Sequence, residues 1–230
     1  MIVSHLHRFI FIKTNKTAGT SIEAALSQLC GPQDILTPFR EDNEWYRRMT
    51  PPQNYSIDHP LKPRRSLRQK LFGRPERYYH ATIGYYEHMP AWRVQTYLGE
   101  DVWRSYFKFA FDRNPWDRQV SWYFYKTKSK SSPLLFDDFL ASKKHAYVNN
   151  YELYTINSDL AVDFVGRYER LETDFAKVLE FIGVRQSIAL PRINVSTVRE
   201  RDYRDYYSPR TKAIVADWYA PEIAMFGHRF

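Results

Sequence analysis

The sequence predicts an α/β fold, a three-layer α/β/α arrangement around a parallel sheet, on three observations. Phe9-Ile10-Phe11-Ile12 and the stretch from Tyr106 to Phe111 are short, bulky apolar runs of the kind that strands buried on both faces show. Each passes through a loop into a segment whose apolar residues recur at helical spacing. A third strand-then-helix pattern follows near the end of the chain, and strands alternating with helices mark a sheet covered on both sides.

The first strand is read at Phe9 to Ile12. After the loop Lys13 to Gly19, residues Ile22, Ala25, Leu26 and Leu29 define a helix, with Thr20 and Ser21 expected as N-caps and Gly31 as its stop. From about Thr37 to Tyr79 the periodicity fails, interrupted by Pro38, Pro51, Pro52, Pro60, Pro63 and Pro75. Within it, Lys62 to Arg77 carries seven cations against one acid, a net +6. This basic insertion after the first helix reads as a solvated loop, or as a lid or acceptor-binding element. Pro90 to Leu98 reads as a short helix opened by proline. Phe107, Phe109 and Phe111 alternate in the second strand, which runs into Arg113-Asn114-Pro115 and a helix carrying Val120, Ser121 and Phe124. Asp163 to Tyr168 is the last expected strand. Leu171, Phe175, Val178, Leu179 and Ile182 then form a helix face stopped by Gly183, and Ser208-Pro209 opens a helix through Trp218.

At 230 residues the chain is about 1.5 times a typical domain, which favours one domain over 1–230 with an irregular insertion over 37–79 rather than two domains. With 43% apolar and 26% charged residues it can bury a core, and wholesale disorder is excluded. The net charge of +8 favours an anionic partner. A single cysteine, Cys30, excludes an intrachain disulfide or a multi-cysteine zinc cluster. No stretch approaches the ~18 apolar residues of a membrane span. A cytoplasmic protein without a transmembrane segment is therefore expected.

The segment Lys13-Thr14-Asn15-Lys16-Thr17-Ala18-Gly19-Thr20-Ser21 lies between a buried strand and a helix N-terminus, where unpaired amides and the helix dipole favour an anion. Gly19 would let the backbone approach an oxyanion, Thr20 and Ser21 offer hydroxyls and amides, and Lys16 supplies a mobile positive charge. This is not a Walker A loop: the first glycine of G-x-x-x-x-G-K-[ST] is missing and the lysine precedes the glycine. At the end of the second strand, Arg113 is suited to a bidentate contact with phosphate, and Ser121 follows about two helical turns on.

KTAGTS after an apolar strand resembles the 5′-phosphosulfate loop of sulfotransferases that use 3′-phosphoadenosine 5′-phosphosulfate, specifically soluble relatives of the carbohydrate sulfotransferases of family 2. The run from Phe107 through Arg113-Asn114-Pro115 to Ser121 is similar to the family's 3′-phosphate motif, in which an arginine and a serine eight residues later hold that phosphate. Gly166-Arg167-Tyr168-Glu169-Arg170-Leu171, Tyr206-Tyr207-Ser208-Pro209 and Phe226-Gly227-His228-Arg229-Phe230 also look familial and serve as fold markers. The resemblance implies a P-loop-like fold and a nucleotide sulfate donor as cosubstrate. Lys16, Thr17, Ala18, Gly19, Thr20, Ser21, Arg113 and Ser121 would bind that donor. Many relatives carry His and Pro before the loop lysine, where this chain has Lys13 and Asn15.

The chemistry so implied is transfer of a sulfuryl group to a hydroxyl or amine of an unidentified acceptor, a carbohydrate or another small molecule. Lys16 and the loop amides would neutralise the leaving phosphate oxygen, and no metal is expected. The acceptor must lose a proton. His80 is the leading base, because related carbohydrate sulfotransferases place a histidine similarly, between the basic stretch and the Pro90 helix. His88, Glu87 and Asp34 are the alternatives, while His59 and His5 have no supporting pattern. Tyr46, Trp92 and Trp103 offer ring faces for an acceptor. Two other readings compete. A P-loop-like kinase or nucleotide hydrolase would use Asp112 to hold Mg²⁺. A nonenzymatic nucleic-acid binder has the charge and the tyrosines in its favour but lacks any recognition-helix, zinc or RNP-type motif, so no nucleic-acid partner is expected.

Overall fold

The computed structural model describes residues 1–39, 50–56, 84–128, 134–193 and 201–230. Strands β1 (Ile2–Ser4) and β2 (Phe9–Ile12) lead to helix α1 (Gly19–Leu26), a short 3₁₀ turn (Ser27–Leu29) and β3 (Ile35–Leu36). Helices α2 (Ala91–Leu98) and α3 (Glu100–Ser105) precede β4 (Phe107–Asp112) and α4 (Pro115–Thr127). Then come α5 (Phe136–Ala141), α6 (Lys143–Ala146), α7 (Tyr151–Tyr154) and a small hairpin, β5 (Thr155–Ile156) with β6 (Asp159–Leu160). The chain returns to the main sheet at β7 (Phe164–Arg167) and closes with α8 (Leu171–Phe181), α9 (Pro209–Trp218) and α10 (Ala220–Phe226).

The main sheet has the order β3-β1-β2-β4-β7. Its centre is parallel, as expected: β2 pairs with β4 and β4 with β7. The expectation of a wholly parallel sheet is corrected at one side, where β1 runs antiparallel to both β2 and β3. Residues 5–8 form the turn between β1 and β2, far too short for the crossover of a dozen or more residues that a parallel pair needs. The insertion read over 37–79 falls mostly outside the described residues, and so does its cationic stretch.

Strand alternation divides the core between two faces. Ile2, Phe9, Phe11, Phe109 and Phe111 face α1 and α8, packing on Ile22, Ala25, Leu26, Phe175, Val178 and Leu179. Val3, Ile10, Ile12 and Ala110 face the other way, onto Met89, Val94, Trp103, Leu153 and Tyr154. Helices therefore cover both sides of the sheet. Gly166 sits opposite Phe111 in the β4–β7 ladder. A Cβ there would clash with the edge of the Phe111 ring, so Gly166→Ala is expected to cost about 1–3 kcal/mol by overpacking, read as a lower urea midpoint.

A third cluster joins α4, α5 and α9 to the end of the chain through Trp116, Val120, Tyr123, Phe136, Phe139, Val215, Tyr219 and Phe230. Beneath it, fully buried Arg118 reaches Asp112 at 3.1 Å and Glu222 at 2.5 Å, while His228 Nε2 lies 2.7 Å from the second Asp112 oxygen. Removing the guanidinium would leave two buried carboxylates facing each other. Arg118→Ala should cost about 3–5 kcal/mol in denaturant unfolding, more than the loss of any surface ion pair. Among the described residues no helix is long and apolar enough to cross a membrane.

Candidate active site

The loop after β2 is held in shape by its neighbours rather than by glycine. Thr14 Oγ1 donates to the Phe111 carbonyl at 2.5 Å, and Thr17 turns inward, its hydroxyl 2.8 Å from that of Thr14. Lys16 and Ala18 both have φ of 62°. Left-handed backbone costs roughly 1–2 kcal/mol per non-glycine residue, which the surrounding hydrogen bonds, each worth about 1 kcal/mol net, can offset. Ala18 is the N-cap of α1 and no side chain caps the helix. Thr20 and Ser21, expected as caps, instead lie inside the first turn, and Ser21 Oγ accepts from the Ile193 amide at 3.4 Å. After Leu26 α1 tightens into the 3₁₀ turn, and the helical run ends at Leu29, capped by Cys30 just ahead of Gly31, the expected stop. The first amides of α1 consequently point out of the helix without intrahelical partners.

Gly19 lines the cavity, and packing gives a further reason for a glycine there. The space a Cβ would fill is taken by the buried stem of Lys13, with Cγ at 2.8 Å. Lys13 Nζ pairs with Glu23 at 2.5 Å and with Glu87, fixing a charged cluster under the loop. Gly19→Ala should push the Lys13 stem aside and lower stability by about 1–3 kcal/mol, measurable by thermal unfolding.

Arg113 arrives from the end of β4. Its Nε donates to Asp117 at 2.6 Å, its Nη1 donates to the Lys16 carbonyl at 3.1 Å, and its guanidinium lies 3.8 Å from the Tyr168 ring centre. Pro115 opens α4 at its first position, with Asn114 Oδ1 accepting from Trp116 N, and this aims the helix so that Ser121 looks into the same space. The result is one cavity of about 960 Å³, lined by Lys16, Ala18, Gly19, Thr20, Ser21, Arg113 and Ser121. Of the loop residues assigned to ligand binding, Thr17 does not line it and is fully buried. Trp122 and Tyr125 stack on each other at 5.4 Å on the cavity wall, and Lys16 Nζ rests 4.5 Å from the Tyr125 ring centre.

His80 and Tyr46 lie outside the described residues. Of the described histidines, His88 alone lines the cavity. Its Nδ1 is 3.0 Å from the Lys13 carbonyl. A carbonyl can only accept, so Nδ1 carries the hydrogen in the neutral ring and Nε2 carries the lone pair. Desolvation by the groups packed around the ring, with Lys13 nearby, lowers the His88 pKa to about 4 despite the opposing pull of Glu87, although a third of the side chain stays exposed on the cavity wall. Burial also disfavours the Glu87 carboxylate, but the Lys13 charge and hydrogen bond outweigh it and hold the carboxyl near 2. Asp34 does not face the loop: it is buried and accepts from Ser4 Oγ and the amides of His5, Leu6 and Gly31. Trp103 is a core residue against Lys108, and exposed Trp92 carries Arg93 on its ring. Asp112 cannot serve the alternative metal reading, because both its oxygens are occupied by Arg118 and His228.

A sequence-family model described as "Sulfotransferase family" matches residues 1–228. The chain belongs to the sulfotransferase family. An uncharacterized protein of Archaeoglobus fulgidus is 36% identical over 120 residues, covering 50% of this chain and 98% of that relative. No solved structure matches the chain. Family membership agrees with a cavity that brings the first turn of α1 together with an arginine at a strand end. The cluster of Lys13, Glu87 and His88 is what sequence reasoning underweighted. Its only signal was Glu-His just ahead of Met89-Pro90, and nothing in that spacing said that Lys13, 74 positions from Glu87, would bridge to it.

Proposed function

We propose that the protein transfers a sulfuryl group from 3′-phosphoadenosine 5′-phosphosulfate to a hydroxyl or amine, in the cavity between the Lys16 loop and Arg113. The carrying observation is that the loop, the open first turn of α1, Arg113 and Ser121 all line one space. The donor's 5′-phosphosulfate fits the α1 amides and Lys16, and its 3′-phosphate fits Arg113 and Ser121. Asp117 and the Lys16 carbonyl occupy two of the five Arg113 donors, which leaves three, among the described contacts, to meet an anion.

The acceptor oxygen attacks sulfur as the bond from sulfur to the bridging phosphate oxygen breaks. The leaving group is adenosine 3′,5′-bisphosphate, and Lys16 neutralises the charge that grows on its 5′-phosphate. His88 takes the acceptor proton at Nε2, and the imidazolium formed sits 3.9 Å from a Glu87 oxygen. Glu87 itself, tied to the Lys13 ammonium and held near pKa 2, is a weaker base than His88.

Calorimetry with two ligands tests the donor assignment. Adenosine 3′,5′-bisphosphate should bind much more tightly than AMP. Arg113→Ala should cost ~2 kcal/mol, about thirtyfold, with most of that loss absent when AMP is the ligand. Equal affinities for the two nucleotides would remove the donor assignment, and competition by ATP with Mg²⁺ at lower concentration than the bisphosphate would favour a kinase or hydrolase.

A further inference from the structure

Asn15 in the loop and Asn150 before α7 are 135 residues apart and meet through three hydrogen bonds. Asn150 Oδ1 accepts from the Asn15 amide at 2.8 Å and from Asn15 Nδ2 at 3.1 Å, and Asn150 Nδ2 donates to the Asn15 carbonyl at 2.9 Å. Asn150 is fully buried. A side-chain amide that satisfies both the donor and the acceptor of one residue's backbone fixes that residue's position and orientation together, much as a strand partner would.

The next residue is Lys16, left-handed at φ 62° with its carbonyl bound by Arg113. Its backbone is thus bracketed, by Asn150 through Asn15 on one side and by Arg113 on the other. We propose that Asn150 is a positioning residue for sulfuryl transfer: it locks Asn15 and thereby sets where the Lys16 ammonium can reach. This rests on the reading of Lys16 as the group that neutralises the leaving phosphate. No other side chain of similar size offers the same pair of contacts. Aspartate keeps the acceptor, loses the donor and adds negative charge beside an anion site, and alanine loses both contacts.

Hydrogen exchange of the segment 13–19, with steady-state kinetics, on wild type, Asn150→Ala and Asn150→Asp provides the test. In Asn150→Ala the loop amides should exchange at least about tenfold faster while those of β2 and β4 keep their wild-type rates. Its kcat should fall by roughly 10–10², with a smaller change in donor KM, because a displaced Lys16 is felt most in the transition state. Asn150→Asp should restore part of the loop protection without restoring turnover, a split that a merely structural role would not give. Wild-type exchange in the loop of Asn150→Ala, or equal acceleration of all amides in both variants, would overturn the proposal. If the wild-type protein fails to bind adenosine 3′,5′-bisphosphate, the donor reading falls, and the exchange rates still decide whether Asn150 locks the loop.

Discussion

Replacing Lys16 with alanine is expected to lower kcat by about 10²–10³, roughly 3–4 kcal/mol, while adenosine 3′,5′-bisphosphate affinity falls only about tenfold. The ammonium now rests on Tyr125, a contact worth about 0.5–1 kcal/mol at an accessible site. A charge-assisted hydrogen bond to phosphate is worth about 1.5–3 kcal/mol, more than that ring contact, so a bound donor is expected to draw the lysine off the Tyr125 ring. Its contribution then grows as the bridging oxygen becomes negative, since interactions stronger in the transition state than in the ground state accelerate the step. Steady-state kinetics with labelled donor distinguish this from simple binding. A raised donor KM with kcat near wild type would mean that Lys16 holds ground state and transition state equally, and the proposed role would fail.

The central strands and the two-motif cavity were legible in the sequence because their signals are local. Phe9-Ile10-Phe11-Ile12 is a strand at the same residues as expected. Pro115 opens its helix, and Ser208 caps α9 through a reciprocal bond with Thr211. Each depends on neighbours within a few positions. What stayed hidden depends on the partner across the fold. β1 is three residues long and gains its place only by pairing with β2 and β3. Lys13 reads as a loop cation beside a phosphate site, yet it is buried against Glu23 and Glu87. Asn150 has no local motif at all, and its function as a clamp exists only where Asn15 meets it. The same distinction explains the expected caps. Thr20 and Ser21 fit the composition of a cap, but the left-handed Ala18 caps the helix two residues ahead of Thr20 and puts both residues inside the first turn, on the cavity wall.

His88→Ala is expected to leave bisphosphate affinity unchanged and to lower kcat by about 10² or more, the usual loss for a general base. The pH profile separates it from His80, the base expected from sequence. With its pKa lowered to about 4, His88 is neutral and able to accept a proton throughout the range above that value. Wild-type kcat/KM should therefore stay level as pH falls from 7 to 5 and drop only as it passes through about 4, where protonation consumes the Nε2 lone pair. An unperturbed histidine base would halve the rate near pH 6.5. The folded protein must be watched over the same range. A histidine whose pKa is lower folded than unfolded binds fewer protons in the native state between about 6.5 and 4, so its contribution to stability declines as pH falls through that window. Rates should accordingly be taken in short assays and normalised to the folded fraction by circular dichroism. An acid limb near 6.5 that persists in His88→Ala, with near-normal kcat, would move the proton to another group. A limb near 4 that vanishes with the imidazole would fix it on His88, where the Lys13 carbonyl sets the tautomer and Glu87 faces the charge that forms.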